Sequence, residues 1–426
     1  MSTGKQLPAA KPEDVGLSSE SLAKIRPAMQ KFIDRKDAPC VLTLVARHGK
    51  VAHLEIQGMM DIINNKPAEK DTIFRMYSMT KPITGVATMM LYEEGHFQLE
   101  DPISKYIPAF KNPVVSVFDP PQGYVPSPSP FGLTVPARRE ITVRDCLTHT
   151  TGLASARRTP IALLDAFRDA MRGTAAAPGE DTDAVLTMKE RVEKLARLPL
   201  SFHPGSAWEY GFSNSVAGVL VEVISGKTLD EFFRERIFEP LGMNDSSYYL
   251  PEEKLGRFAT NYALTNQEGA WKMVIADVPE TSAKVKGPKV VFGGGGEMGG
   301  ILSTIEDYAK FAQMLLNGGE LGGTRLLSRK TVDLMTTNHT GDHYVWLRGY
   351  GYGWGLGVSV RTEMTGRSAV GNVGEYGWGG AACTQYFADP KEDLIGLMFS
   401  QVMNARAKPD FTMREDFHRL VYQALI

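Results

Sequence analysis

Cysteine is scarce in this chain, with three residues among 426. Cys40, Cys146 and Cys383 are odd in number and far apart, which fits reduced thiols better than a disulfide framework. The eight histidines are scattered and no Cys/His spacing resembles a zinc site, so no metal and no other cofactor is expected. Charge of one sign is missing as well. The formal net charge is −2, with both signs mixed along the chain. No basic stretch invites nucleic acid and no acidic tail invites a basic partner. The longest apolar runs, such as Leu394–Phe399, are far too short to cross a bilayer, so no membrane partner is expected. Residues 1–16 are polar and lack the apolar core of a signal peptide, which points to a cytoplasmic protein. No Gly-x-Ser-x-Gly elbow occurs, which removes the α/β-hydrolase nucleophile. The glycine run 293–296 is not followed by Gly-Lys-Ser/Thr, so it is no phosphate loop.

The remaining composition allows a large core. The chain is 43% hydrophobic, and its length calls for two or more lobes. Apolar residues Leu22, Ile25, Met29 and Phe32 recur at helical spacing and predict a helix over 18–35. Residues 39–47 and 50–57 read as a strand pair turned at His48-Gly49. A helix starts near Ser78, with Ile83, Val86, Ala87, Met90 and Leu91 on one face and Gly95 as its C-terminal cap. Residues 112–136 form a Pro/Gly/Ser-rich loop, a candidate pocket rim, followed by helical patches at 161–172 and 187–198. Strand patterns return at 351–361, 381–388 and 394–401, after a helix at 304–316. The fold class expected is α/β of the α+β type: a mainly antiparallel sheet built from both termini, flanked by helices, with an inserted helical domain. The boundaries are 1–95 with 211–426 for the α/β domain and 96–210 for the helical one.

Ser78-Met79-Thr80-Lys81 is the candidate chemistry. Residues three apart share a helix face, so Lys81 reaches the Ser78 hydroxyl. A serine at a helix start also lies beside unpaired backbone N–H groups and the positive helix end, which favour negative charge on its oxygen. Phe74, Met76, Ile83 and Val86 give the amine the apolar setting that a lysine base needs. Pro82 fits, because a first-turn residue need not donate a helical hydrogen bond.

Alone, Ser-x-x-Lys is too common to carry a function. Its surroundings are more specific. The segment 73–85 (Ile-Phe-Arg-Met-Tyr-Ser-Met-Thr-Lys-Pro-Ile-Thr-Gly) resembles the nucleophile segment of the serine β-lactamase-like superfamily. The segments 94–108 and 141–153 (Ile-Thr-Val-Arg-Asp-Cys-Leu-Thr-His-Thr-Thr-Gly-Leu) continue the resemblance, which runs from about 16 to 401. The closest likeness is to class C β-lactamases and family VIII carboxylesterases. That resemblance implies a β-lactamase/transpeptidase-like fold and assigns the site residues. Ser78 is the nucleophile and Lys81 the base. Segment 204–218 (Pro-Gly-Ser-Ala-Trp-Glu-Tyr-Gly-Phe-Ser-Asn-Ser-Val-Ala-Gly) places the proton-shuttling tyrosine at Tyr210. A rival frame reads Phe212-Ser213-Asn214 as Tyr-Ser-Asn with the tyrosine lost. Those esterases often carry an Asp where Ser215 stands.

The third family element is Lys-Thr-Gly in lactamases. It does not occur here. His339-Thr340-Gly341 has the form of a variant but follows a helix pattern at 331–337. Trp378-Gly379-Gly380 leads into strands and looks like the Trp-Gly-Gly form of the esterases, which implies that the N–H groups of Ser78 and Ala381 form an oxyanion hole. The glycine run beside 293 resembles the family's Gly-rich strand next to the site, a structural role. Phe212 and Trp346, the latter within the aromatic cluster 343–350, are candidate pocket residues. Trp378 in place of lysine leaves an apolar wall, which shifts the expectation from anionic β-lactams to neutral esters. The expected activity is that of a serine carboxylesterase on short-acyl esters, with a small-molecule partner. A β-lactamase, promiscuous or true, an acyltransferase, and a sensor that acylates and stops remain alternatives.

Overall fold

The structure, a computed structural model, describes residues 6–117, 131–154, 159, 161–172, 186–285, 293–365 and 370–426. Alternating apolar residues build its central sheet. Leu42 and Leu44 belong to the core on one face, and Val41 and Val45 to the core on the other. A strand buried on both faces needs cover on both, and helices supply it. Ile25–Asp34 and Met413–Gln423 lie on one side, while Thr80–Glu93 and Ile305–Leu316 contribute to the core on the other.

The sheet has eight strands in the order Tyr352–Trp354, Ser359–Arg361, Tyr376–Gly379, Gln385–Asp389, Leu394–Phe399, Cys40–Arg47, Lys50–Asp61 and Lys66–Pro67. Every neighbouring pair is antiparallel. The chain ends meet where Leu42 sits opposite Phe399 and Leu44 opposite Leu397. The sheet built from both termini, expected from the strand patterns, is therefore present. His48 and Gly49 both take positive φ, 53° and 71°, the geometry that a tight hairpin turn requires.

Several elements differ from the sequence expectation. The predicted helix over 18–35 is two helices, Ser19–Leu22 and Ile25–Asp34. Pro27 sits in the first turn of the second and has no N–H to offer the preceding turn. The strand predicted over 351–361 folds back on itself as Tyr352–Trp354 and Ser359–Arg361. Gly357, with φ of 93°, makes that turn. The strand predicted from 381 begins at Gln385, because residues 381–384 turn the chain between Tyr376–Gly379 and Gln385–Asp389. Within the Pro/Gly/Ser-rich loop, Val114–Val117 pairs with Leu133–Pro136. Its middle, 118–130, lies outside the described residues.

Helices Val143–Thr148, Ile161–Arg172, Met188–Ala196 and Ser213–Ser225 follow in sequence. Ser213–Ser225 packs on Thr80–Glu93, Val143–Thr148 and Met188–Ala196. Thr142 and Thr187 each start a helix with a reciprocal capping box, to Asp145 and Glu190. Among the described residues no helix is long and apolar enough to cross a membrane.

Phe74–Arg75 pairs with Leu302–Ser303 and delivers the chain to Ser78. The Phe74 ring is fully buried, edge-on to Phe399 at 5.7 Å. The Arg75 guanidinium donates to the Ala259 carbonyl at 2.6 Å and to Asp277 at 2.5 Å. Replacing Phe74 with alanine should cost about 3–5 kcal/mol, the usual loss for a buried aromatic truncated to a methyl group. Urea unfolding of Phe74→Ala against wild type checks it.

Candidate active site

Ser78 lies in a single 3-10 turn, Tyr77–Met79, that runs into the helix Thr80–Glu93. The sequence placed it in the first helical turn itself; the turn preceding it is tighter. Tyr77 takes φ of 47°, a left-handed conformation uncommon for a side chain of that size. Its phenol oxygen accepts from Asn261 at 2.9 Å. The Tyr308 hydroxyl donates to the Met79 carbonyl at 2.8 Å. The nucleophile turn is thus tied down on both sides.

The glycine run explains itself at this point. Gly296, with φ of 92°, lies against the Tyr77–Ser78 peptide. A Cβ there would stand 2.5 Å from the Tyr77 carbonyl oxygen and 2.9 Å from the Ser78 nitrogen. The expected structural role is close backbone approach. The run forms turns rather than a strand, and Phe292 before it lies outside the described residues.

Three predicted residues meet at one oxygen. Lys81 Nζ donates to Ser78 Oγ at 3.1 Å, and the Tyr210 hydroxyl donates to the same oxygen at 2.8 Å. Lys81 Nζ also donates to the Gly295 carbonyl and stands 4.6 Å from the centre of the Tyr210 ring. Tyr210 reaches Ser78 because its segment pairs with the segment after Val143–Thr148. The Glu209 N–H donates to the His149 carbonyl at 3.1 Å, and the Phe212 N–H to that of Leu153 at 3.0 Å. The Trp378 indole N–H donates to the Tyr210 oxygen at 3.3 Å.

No aspartate stands at 215. The Ser215 hydroxyl donates instead to Glu297, which also accepts from the Gly295 N–H at 3.1 Å. A carboxylate therefore reaches this corner from the glycine loop. Nothing in the sequence spacing brought Glu297 forward.

Ser78, Tyr210, Trp378, Gly379, Gly380 and Ala381 line one cavity of about 280 Å³. Arg414 Nη2 donates to the Gly380 carbonyl at 2.5 Å. A trans peptide points its C=O and N–H in opposite directions, so the Ala381 N–H faces away from that guanidinium. Among the described residues this N–H has no acceptor. Phe212 does not line this cavity; it precedes Ser213–Ser225 and packs against Phe167 at 6.4 Å. Trp346 lines a neighbouring cavity with Trp208 and His343, and its indole N–H donates to Glu209 at 3.2 Å. His339-Thr340-Gly341 borders neither cavity.

A model of the Beta-lactamase family matches residues 25–419. The chain belongs to that family. A protein of Mycobacterium tuberculosis is 33% identical over 373 residues, 84% of this chain and 85% of its own length. The lovastatin esterase of Penicillium rubens is 28% identical over 83% of this chain and 87% of its own. Esterase EstB of Burkholderia gladioli is 29% identical over 52% of this chain and 49% of its own. Among solved structures, EstCE1, described as a hydrolase with promiscuous acyltransferase activity, superposes with a TM-score of 0.74 at 23% identity, covering 95% of this chain and 99% of its own. The β-lactamase-like α+β fold expected from the sequence is the fold of these structures.

Within this family member, His149 is a residue whose part the sequence left unread. It ends Val143–Thr148 with φ of 60°, fully buried. Its ring lies 4.6 Å from that of Tyr210 and 5.0 Å from that of Trp354. Desolvation, and then the Lys81 charge, push its pKa well below the ordinary histidine value. The neutral ring walls Tyr210 against the indoles. Because the unfolded chain takes up a proton near pH 6.5 and the buried ring does not, stability should fall as pH drops below about 6.5. Chemical denaturation of wild type and His149→Phe between about pH 7.5 and about pH 5 should give a shallower fall for the variant.

Proposed function

We propose that this protein is a serine carboxylesterase that cleaves short-acyl esters through an acyl-enzyme on Ser78. The observation that carries the reading is the convergence of the Lys81 amine and the Tyr210 phenol on Ser78 Oγ, at the wall of a small cavity. The names of EstB and lovastatin esterase support the ester chemistry. The cavity's modest volume supports a short acyl group. The three cysteines, buried and unpaired, fit a cytoplasmic setting.

In this scheme the Ser78 hydroxyl gives its proton to the Lys81–Tyr210 pair as its oxygen bonds to the ester carbonyl carbon. The carbonyl oxygen takes the negative charge and is held by the N–H groups of Ser78 and Ala381. Donors aimed at a developing oxyanion are worth about 10²–10³ in rate each. The tetrahedral species collapses, the bond to the alcohol oxygen breaks, and Tyr210 protonates the departing alcohol. Water then enters, gives its proton to the same pair, and releases the acid from Ser78. An added alcohol in place of water would make the product an ester, the acyltransfer described for EstCE1.

Ser78→Ala should abolish hydrolysis of para-nitrophenyl butyrate while the circular dichroism spectrum is retained; substantial remaining turnover would sink the scheme. Tyr210→Phe should lower kcat by about 10²–10⁴, the range for a lost general acid–base. Nitrocefin turned over faster than the butyrate ester by wild type would favour a β-lactamase instead.

A further inference from the structure

Three arginines border the cavity on which Ser78 opens: Arg348, Arg406 and Arg414. Arg406 and Arg414 lie close together in the chain, and the fold brings Arg348 to them from a distant segment. Arg348 leaves the aromatic cluster, stacks 5.1 Å over the Trp378 ring and donates to Ser359 Oγ at 3.1 Å. Arg406 sits in the turn Ala405–Ala407 and is exposed. Arg414 opens the helix Met413–Gln423 and spends Nη2 on the Gly380 and Thr384 carbonyls.

None of the three is ion-paired with a carboxylate among the described residues. Glu375, near Arg348, is engaged by His418 at 2.8 Å and Tyr422 at 2.7 Å. Glu415, beside Arg414 in sequence, is exposed and forms no ion pair among the described residues. Glu415 still acts on Arg348 and Arg406 through space, and Glu375 on Arg348, but for Arg406 the neighbouring guanidinium groups outweigh it. The Arg414 charge, ahead of desolvation and Arg348, pushes the Arg406 pKa down to about 9. Mutual repulsion is a cost that a bound anion would reverse.

We propose that these arginines form a carboxylate-binding subsite, so that the preferred substrate is a short ester that also carries a free carboxylate. The inference rests on the esterase reading and sharpens it. It also revises the expectation of neutral esters. The third-motif lysine is absent, but positive charge returns to the cavity from Arg348, Arg406 and Arg414. Guanidinium forks match a carboxylate with two parallel hydrogen bonds, and a cavity of about 280 Å³ suits an acid of a few carbons.

The test compares para-nitrophenyl hydrogen glutarate with para-nitrophenyl glutaramate, which carries a neutral carboxamide in place of the carboxylate. Rates are corrected with Ser78→Ala for spontaneous hydrolysis. Wild type should prefer the anionic ester in kcat/KM by about ten- to a hundredfold, as expected for hydrogen bonds to a charged group. Arg406→Gln should bring that ratio toward one, chiefly through KM, and added sodium chloride should erode it. A wild-type ratio at or below one, with the neutral ester still cleaved, overturns the subsite and leaves the esterase reading standing. If neither ester is cleaved, the esterase reading fails. The subsite is then decided by calorimetric titration of glutarate into wild type and Arg406→Gln. Binding weakened by the substitution supports it. No binding, binding equal in both proteins, or displacement of glutarate by a lower concentration of inorganic phosphate overturns it.

Discussion

Ser78 Oγ receives two hydrogen bonds at once, from an amine one helical turn away and from a phenol 132 positions further along the chain. The first is local geometry. The second demands that a separate part of the chain arrive with sub-ångström accuracy. Much of the surrounding structure answers that demand. The strand Tyr376–Gly379 offers an indole N–H to the phenol, the segment after Val143–Thr148 hydrogen-bonds the backbone on both sides of Tyr210, and the glycine loop takes the far side of Lys81.

Two kinds of contact do this work, and they differ in tolerance. The aromatic wall of His149, Trp208, Trp354 and Trp378 around Tyr210 is apolar packing, with ring centres 4.6–6.4 Å apart from Tyr210. Rings of similar size can shift by fractions of an ångström and keep most of their contact. The glycine approach at Gly296 has no such slack, because any side chain would enter the Tyr77–Ser78 peptide. Lys81 adds a third constraint. It is buried and holds both Ser78 and the Gly295 carbonyl, so the loop and the nucleophile turn share one amine.

Charge in the cavity is arranged differently from what the motifs alone imply. Trp378 replaces the lysine of the lactamase motif, and the indole serves Tyr210. Arg348, Arg406 and Arg414 border the same space. One of them, Arg414, also grips the Gly380 carbonyl, so the peptide bearing the Ala381 N–H is oriented by a residue that contributes to the cavity's charge.

The sequence by itself determined the elements whose signal is local. Alternating apolar residues specified both faces of Cys40–Arg47, and the His48-Gly49 pair specified the turn after it. The proximity of Ser78 and Lys81 was legible because three residues of helix-like chain place both groups on one face, while their catalytic role was legible through the family likeness of the segment around them. Tyr210 and Trp378 were legible only through family likeness, since nothing in their spacing predicts that the two meet. Tertiary structure alone decided the rest. The break near Pro27 and the hairpin at Gly357 depend on single backbone positions within otherwise regular patterns. His149 beside Tyr210, Glu297 beside Ser215, and Arg348 on one cavity with Arg406 and Arg414 are joined across long stretches of chain. A residue's charge or ring is written in the sequence, but its neighbours are set by how sheet and helices close on one another, and electrostatic and packing energies depend on those neighbours.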